Sequence, residues 1–267
     1  MNKKATIALS LVLLIGLSLL LYPTVSNYWN SLHQSRAIAG YKETTDHFDQ
    51  ATYDQILNSA QDFNASIHQL TIAEWTDERY QEYLQQLNIT SNGIMGYIDI
   101  PKIHVTLPIY HGTDDAVLQV AVGHVEGSSL PVGGEGSHCV LSGHRGLTNA
   151  KLFTNLDQMQ IGDVFVISVL HEELYYEVDN ISIVKPDDIS SLTFEEGMDL
   201  CTLITCTPYG VNSHRLLVRG HRVEKEAASL VRLSADATPI HRWVVVAVIL
   251  APFVLIALIC LLVRRRR

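Results

Sequence analysis

Two long uncharged runs, one near each end, constrain this chain more than any other feature. Residues 5–22 and 243–263 contain no Asp, Glu, Lys or Arg, so the runs are 18 and 21 residues long. A helix needs roughly 20 apolar residues to cross a hydrocarbon layer about 30 Å thick. The sequence therefore predicts two flanking transmembrane helices, and it excludes a freely soluble, fibrous or disordered protein.

The charged residues are sorted between the ends and the middle of the chain. All 28 Asp and Glu lie between the two runs, together with 13 of the 19 Lys and Arg, the last of them Arg242 directly before the second run. Four Arg follow the second run and two Lys precede the first. The positive-inside rule then places both termini in the cytoplasm and the middle outside the cell membrane. This acidic exterior offers no basic patch for nucleic acid.

The first run is interpreted as an uncleaved anchor, because no small-x-small cleavage site follows it. We divide the chain into five parts. They are a cytoplasmic tip with the anchor (1–22), a helical juxtamembrane segment (23–92), a β domain (93–224), a linker (225–242), and a second transmembrane helix with a basic tail (243–267).

The juxtamembrane segment shows helical spacing near its end. Tyr80, Tyr83, Leu84 and Leu87 fall on one helix face, and Thr76 is suited to cap that helix.

From Gly93 onward, apolar residues alternate at period two, which is typical of strands. The segments are 94–100, 103–109, 139–142, 164–170, 174–184, 199–205 and 215–223.

Short strands with little helix between them indicate a mainly β fold. One helix is predicted within the β region, over residues 150–159, where Leu152, Phe153 and Leu156 share a face. The strand spacing favours a barrel or sandwich of about 130 residues.

Cys206 occupies the position best suited to nucleophilic chemistry. It ends a strand-like run and precedes a turn signal, and Arg215 begins the next run. If the two runs pair, the Arg215 guanidinium favours a thiolate or stabilises an oxyanion. His144 closes another run between glycines and is positioned to transfer protons. The three residue types together suit acyl transfer.

Other interpretations of these residues are structural. Cys139 and Cys201 fall inside strand runs and are expected in the core, and Cys260 lies in the second apolar run. A lone histidine in a loop is often only a surface residue. No metal site is predicted, because no Cys or His pair has ligand spacing. The glycine-rich residues 131–136 do not begin a helix and are not interpreted as a phosphate loop.

Several segments together resemble the sortases, specifically the class C or pilus-assembly sortases of Gram-positive bacteria. The segments read TCTPY at 205–209, NSHRLLVRG at 212–220 and GHRGL at 143–147. Residues 129–134, 152–157 and 162–163 match in the same order, so the resemblance covers about residues 93–223. The two terminal apolar runs also look like class C.

The resemblance implies an eight-stranded sortase β-barrel with Cys206 as nucleophile, His144 as acid/base and Arg215 as oxyanion stabiliser. It implies a transpeptidase that cleaves a Leu-Pro-x-Thr-Gly-like sorting signal and holds the acyl group as a thioester. The acceptor would be a lysine amine of another pilin subunit, so that repeated transfer builds a pilus. It implies no dissociable organic cofactor.

One class C feature is missing from the sequence. These enzymes usually carry an Asp-Pro-aromatic lid before the barrel, but no proline lies between Pro23 and Pro101. Glu74, Trp75 and Asp77 are the residues that we expect to act as a substitute acid and ring.

Three alternative functions remain open at this point. The chain is a sortase that attaches surface proteins to peptidoglycan, a cysteine hydrolase in which water resolves the thioester, or a tethered binding domain without catalysis. A sortase substrate is disfavoured, because no Leu-Pro-x-Thr-Gly precedes the second apolar run.

Overall fold

A computed structural model describes residues 3–67 and 75–225 of the chain. The helices are α1 (Lys3–Asp46), α2 (Gln50–Ala65), α3 (Asp77–Gln85) and the single turn α4 (Asp115–Leu118). The strands are β1 (Ile94–Ile100), β2 (Val105–His111), β3 (Val122–His124), β4 (Ser137–Ser142), β5 (Val164–Val169), β6 (Glu172–Val184), β7 (Asp199–Thr207) and β8 (His214–Val223).

The eight strands close into a barrel, as the resemblance implied. Their order around the barrel is β1-β2-β3-β4-β7-β8-β6-β5, and β5 closes it by pairing with β1. The pairs β2–β3 and β4–β7 are parallel, whereas the other pairs are antiparallel. The parallel β4–β7 pair joins segments that are about 60 residues apart and sets the position of the functional site.

Side chains alternate between the inside and the outside of the barrel along β4, β7 and β8, as strand geometry requires. The inward residues of these strands enter the main core: Cys139, Leu141, Cys201, Leu203, Leu216 and Val218. The outward residues Val140 and Leu217 form a second cluster with Leu192 from the β6–β7 loop. That loop therefore covers one outer face of the barrel.

Helix α1 is longer than the anchor predicted from the sequence. It is continuous over 44 residues and includes Pro23, so the structure has no break at residue 22. In the described part of the chain it is also the one helix long and apolar enough to cross a membrane. The second predicted membrane helix, residues 243–263, lies outside the described residues.

The second half of α1 packs against the barrel. The Tyr41 hydroxyl donates to the Met95 carbonyl over 3.0 Å and accepts from the Leu170 N–H over 2.8 Å. Because Tyr41 is buried, these bonds anchor the far end of α1 to the barrel.

Helices α2 and α3 close one side of the barrel. Thr76 caps α3, as predicted, by accepting from the Arg79 N–H over 3.3 Å. On the inner face of α3, the Tyr83 hydroxyl accepts from the Gly112 N–H and lies 2.9 Å from Nδ1 of His124. The α3 helix is therefore joined to the barrel by buried polar contacts as well as by apolar packing.

The helix predicted over residues 150–159 is wrong. The structure has only a 3-10 turn at Leu156–Gln158, and Leu152 has a positive φ of 38°. The Phe153 N–H donates to the His144 carbonyl over 3.1 Å, so the loop folds back on itself. Leu152, Phe153 and Leu156 are all buried because an irregular loop turns each of them into the core. Their spacing resembles that of a helix face without a helix.

Candidate active site

Cys206 and Arg215 lie directly opposite each other in the antiparallel pairing of β7 and β8. Directly paired residues point to the same face of a sheet, with Cβ atoms about 4.5–5.5 Å apart. Both side chains are half-buried at the end of the barrel where β7 leaves it and β8 enters. A thiol and a guanidinium therefore share one accessible edge.

The parallel pairing of β4 and β7 brings His144 to the same edge. Ser142 pairs with Ile204, and the Gly143 N–H donates to the Ile204 carbonyl over 3.0 Å. The Thr205 hydroxyl then donates to the Gly143 carbonyl over 2.8 Å. Extending this register by one more residue would set the half-buried His144 opposite Cys206.

Gly143 is required for this path of the backbone. A Cβ added there would lie 2.6 Å from Cδ2 of Phe153, whose ring is fully buried. The ring of Phe153 therefore fixes the backbone immediately before His144, and no larger residue fits at position 143.

The Arg215 guanidinium is held at the mouth of the site by the β7–β8 loop. Its Nη1 lies 3.3 Å from the Asn212 carbonyl and 3.2 Å from the His214 carbonyl. A guanidinium has five N–H donors. Since these two contacts involve only Nη1, the group retains donors for an anionic intermediate.

An apolar cluster lies on the outer face of the barrel beside Cys206, beneath the β6–β7 loop. Its buried members are Val140, Leu192 and Leu217, and the half-buried Val125, Val184 and Ile204 pack against them. The β6–β7 loop forms one wall through Leu192. Since the first three are covered, the partly exposed Val125, Val184 and Ile204 are the members that an extended peptide with apolar side chains could contact.

The three described cysteines differ in their surroundings. Cys139 and Cys201 are paired in the β4–β7 register and are both buried in the core, as expected. Burial raises the pKa of the Cys201 thiol well above its usual value. Of these three thiols, only that of Cys206 is accessible. No cluster of three or more metal-ligating side chains occurs within residues 3–67 and 75–225.

Comparison with known proteins identifies the family. A sortase domain model matches residues 98–223. The solved structure of sortase C1 from Streptococcus agalactiae is 48% identical, with a TM-score of 0.69, and the match covers 71% of this chain and 99% of that one. The chain belongs to the sortase family.

Two further class C structures are similar to this sortase. Sortase C-1 from Actinomyces oris is 50% identical, with a TM-score of 0.61, and the match covers 64% of this chain and 98% of that one. Sortase C from Streptococcus pneumoniae is 43% identical, with a TM-score of 0.64, and the match covers 71% and 97% of the two chains.

Curated relatives match over a shorter region. Sortase D of Bacillus subtilis is 34% identical over 131 residues, which is 48% of this chain and 63% of that protein. Sortase A of Bacillus anthracis is 29% identical over 134 residues and is covered to 62%. The chain thus spans less than two thirds of the length of these relatives.

The residues expected to replace the class C lid do not join Cys206, His144 and Arg215 in the described contacts. The Trp75 ring packs against Tyr83 and Phe63, with centroids 5.1 and 6.0 Å away. Asp77 is the exposed first residue of α3, and Glu74 lies outside the described residues. Trp75 and Asp77 therefore belong to the part of the structure formed by α2 and α3, here called the helical cap.

Arg145 is a residue near the site that sequence reasoning missed. Its side chain is only 8% exposed and pairs with Asp157. Its Nη1 donates to the Thr207 hydroxyl over 3.4 Å, and the guanidinium lies 5.8 Å from the centre of the Tyr209 ring. The signal in the sequence was its position directly after His144, together with the nearby Asp157.

Proposed function

We propose that this sortase is a membrane-anchored cysteine transpeptidase that uses Cys206, His144 and Arg215. The pairing of Cys206 with Arg215 carries the proposal, because it sets a nucleophile and an oxyanion donor on one accessible strand edge. The β4–β7 register supports His144 as the acid and base.

The first half-reaction forms a thioester. The Cys206 thiolate attacks the carbonyl carbon of the threonine in a Leu-Pro-x-Thr-Gly-like signal, and Arg215 donates hydrogen bonds to the oxyanion. The C–N bond to glycine then breaks. The His144 imidazolium gives its proton to the departing amine and becomes neutral.

The second half-reaction reverses these proton movements. A lysine amine attacks the thioester carbonyl, and neutral His144 accepts a proton from the attacking nitrogen. The C–S bond breaks, which forms an isopeptide bond and restores the thiolate and the imidazolium. The proton lost in the first step is recovered in the second, so the cycle needs no cofactor.

Pilin subunits are the proposed substrates and acceptors. The structure of Streptococcus pneumoniae sortase C has been described as providing insights into pilin substrate specificity, and that chain is 43% identical to this one. The partly exposed apolar residues near Cys206, Val125, Val184 and Ile204, are suited to contact the leucine and proline of a sorting signal. Repeated transfer would then polymerise a pilus.

The membrane topology is also part of the proposal. The long apolar helix α1 supports an N-terminal anchor. The charge distribution supports two spans, with residues 243–263 as the second, both termini in the cytoplasm and the barrel outside.

The test uses the full chain in detergent with a purified pilin that carries a sorting signal and an acceptor lysine. We expect a ladder of covalent multimers and an acyl-enzyme mass on Cys206. Cys206→Ala should abolish both without changing the unfolding temperature. Arg215→Ala should lower kcat by about 10²–10³-fold, as is typical for loss of an oxyanion donor. His144→Ala should be inactive, and the exposed His47→Ala is its matched control.

The alternatives give different products. Transfer only to a peptidoglycan amine would retain the chemistry but replace pilus polymerisation by cell-wall attachment. Release of a free carboxylate would identify a hydrolase. Undiminished multimer formation by Cys206→Ala would reject the catalytic assignment, and absence of any product from the wild-type chain would favour a tethered binding domain.

A further inference from the structure

The position at which each part of the barrel contacts helix α1 indicates how far that part lies from the membrane, because α1 is continuous from the anchor to Asp46. The uncharged run ends at residue 22, and the helix continues without a break to Asp46. At a rise of 1.5 Å per residue, Asn27 and Asn30 lie about 8 and 12 Å beyond that point along the helix. The headgroup layer on one side of a bilayer is itself roughly 5–8 Å thick.

The loop that carries His144 is attached at this low position on α1. The Lys151 N–H donates to Oδ1 of Asn27 over 2.9 Å, and Nδ2 of Asn30 donates to the Asn149 carbonyl over 2.8 Å. These residues belong to the loop that follows β4 and begins at Gly143. The loop that follows β4 and contains His144 therefore lies near the end of α1 that enters the membrane.

Other parts of the barrel meet α1 farther from the anchor. Gln34 donates to the Val120 carbonyl over 2.7 Å, and Tyr41 donates to the Met95 carbonyl over 3.0 Å. Asn30 and Tyr41 are separated by about 16 Å along the helix axis. The barrel is thus oriented, with the loop after β4 at the lower end and the start of β1 at the upper end.

The β7–β8 loop lies at the same lower edge and exposes apolar side chains. The Tyr209 ring packs over Gly146, where an added Cβ would lie 3.1 Å from Cε2 of the ring. Tyr209 is 60% exposed and Val211 is 69% exposed. Cys206 lies just before this loop. The end of the barrel that holds Cys206, His144 and Arg215, here called the catalytic edge, therefore carries a small exposed apolar surface.

The charged residues are also distributed unevenly between the lower and the upper end of the barrel. Neither residues 143–156 nor residues 207–216 contain Asp or Glu, and they include the basic Lys151 and Arg215. Acidic residues occur at the opposite end, with Glu43 and Asp46 on the last turn of α1. Asp157 follows directly and pairs with Arg145, and Asp187 and Asp188 come after the end of β6, so it is the exposed apolar side chains that suit these two loops to a lipid surface.

We propose that the catalytic edge of the barrel, formed by the loop after β4 and the β7–β8 loop, rests on the outer surface of the membrane that α1 enters. This inference depends on the membrane anchoring in the proposed function, but not on the transpeptidase chemistry. In this arrangement the Cys206 thiol lies at the lipid surface. A sorting signal held near that surface would reach the thiol without passing over the barrel.

The experiment measures lipid contact at single sites in the full chain. Cys206→Ser and Cys260→Ala form the background, because Cys139 and Cys201 are buried. One reporter cysteine is added as Val211→Cys, Tyr209→Cys, Leu13→Cys or Glu172→Cys and labelled with bimane. The proteins are reconstituted in vesicles of equal parts phosphatidylglycerol and phosphatidylcholine that contain a headgroup nitroxide lipid or, for position 13 near the middle of the hydrocarbon layer, an acyl-chain nitroxide lipid.

We expect the nitroxide lipid to quench most of the bimane fluorescence at positions 211 and 209. Leu13 is in the anchor and reports insertion, and its label should also be quenched. Glu172 is exposed at the turn between β5 and β6, on the upper end, and its label should remain bright. Each labelled protein must keep the unfolding temperature of the background protein to be scored.

Two results would overturn the inference. If the labels at 209 and 211 are no more quenched than that at 172 while that at 13 is quenched, the barrel is anchored but does not rest on this edge. If the label at 13 is also bright, both the anchoring and this inference are wrong. The measurement uses a chain without the Cys206 thiol, so failure of the transpeptidase proposal does not change its result.

Discussion

The Arg145 guanidinium donates to the Thr207 hydroxyl over 3.4 Å and thereby joins the residue after His144 to the residue after Cys206. Its other contacts are the carboxylate of Asp157 and the ring of Tyr209. Because the Arg145 side chain is largely buried, these contacts hold the two strand ends at a fixed separation. Arg145 is therefore assigned as a positioning residue.

Arg145→Gln should lower kcat/KM by about 10–100-fold, since a displacement of about 1 Å between reacting groups has an effect of this size. The loss should fall on kcat rather than on KM, because Arg145 holds the two strand ends in position and is not proposed to bind the substrate. Arg145→Lys keeps the charge and should recover only part of the activity, because lysine lacks the forked donors.

Asp157→Asn is the matched test of the same contact. It should reproduce part of the kcat/KM loss, while Lys151→Gln, which alters an exposed cation on the same loop, should not. Values of kcat and KM for Arg145→Gln equal to those of the wild type would show that Arg145 has no positioning role.

The different burial of the cysteines predicts selective alkylation. In the folded protein, iodoacetamide should modify Cys206, whereas Cys139 and Cys201 should react only after unfolding in guanidinium chloride. Mass spectrometry of the proteolytic peptides measures each site separately, and Cys206→Ser is the control. Equal modification rates at the three sites in the folded state would contradict the assignment of Cys206 as the accessible nucleophile.

His138 predicts how stability depends on pH. Its Nδ1–H donates to the Thr193 carbonyl over 2.8 Å, and its Nε2 accepts from the Thr202 hydroxyl over 2.7 Å, so the neutral ring satisfies both contacts. Burial lowers the pKa of His138 below its ordinary value of 6.5. Below that pH the unfolded chain binds a proton that the folded chain does not. The free energy of unfolding should therefore decrease as pH falls.

The contribution of His138 to this decrease is at most about 1.4 kcal/mol per pH unit, and urea unfolding between pH 7.5 and 5.5 measures it. Glutamine can also donate and accept, so His138→Gln should remove this part of the slope. The exposed His47→Gln should retain it. An unchanged slope in His138→Gln would mean that the ring is protonated in the folded state.

The strands and the Cys206–Arg215 pair could be predicted from local sequence. Alternation at period two marks β7 and β8, and the short loop between them allows direct pairing, so only neighbouring residues are needed. The position of His144 was less accessible, because it depends on the parallel pairing of β4 with β7. Such pairing leaves no local signal in the sequence.

Other features could not be predicted for identifiable physical reasons. Strand β3 has only three residues, which is too short to show alternation. Leu152, Phe153 and Leu156 have helical spacing, but each reaches the core from an irregular loop. The continuation of α1 through Pro23 could not be predicted either, because proline disfavours a helix interior.

Asn64 predicts how strongly the helical cap is attached to the barrel. Its Nδ2 donates to the Leu130 carbonyl over 3.1 Å, and its Oδ1 accepts from the Leu130 N–H over 2.7 Å. Leu130 is fully buried, so Asn64→Ala leaves its backbone N–H without this partner, while its carbonyl still accepts from the Val132 N–H over 2.8 Å. The free energy of unfolding should decrease by about 1–3 kcal/mol, the cost of one unsatisfied buried donor, as measured by urea unfolding.

Asn58→Ala is the matched control, because Asn58 is exposed on the same helix. That variant should change the free energy of unfolding by less than about 0.5 kcal/mol, which is usual for a surface substitution. Asn64→Asp keeps the acceptor for the Leu130 N–H but loses the donor to its carbonyl, so its stability should be lower than that of the wild type. If Asn64→Ala is as stable as Asn58→Ala, α2 is not held to the barrel through Leu130, and its packing contacts alone must keep it in place.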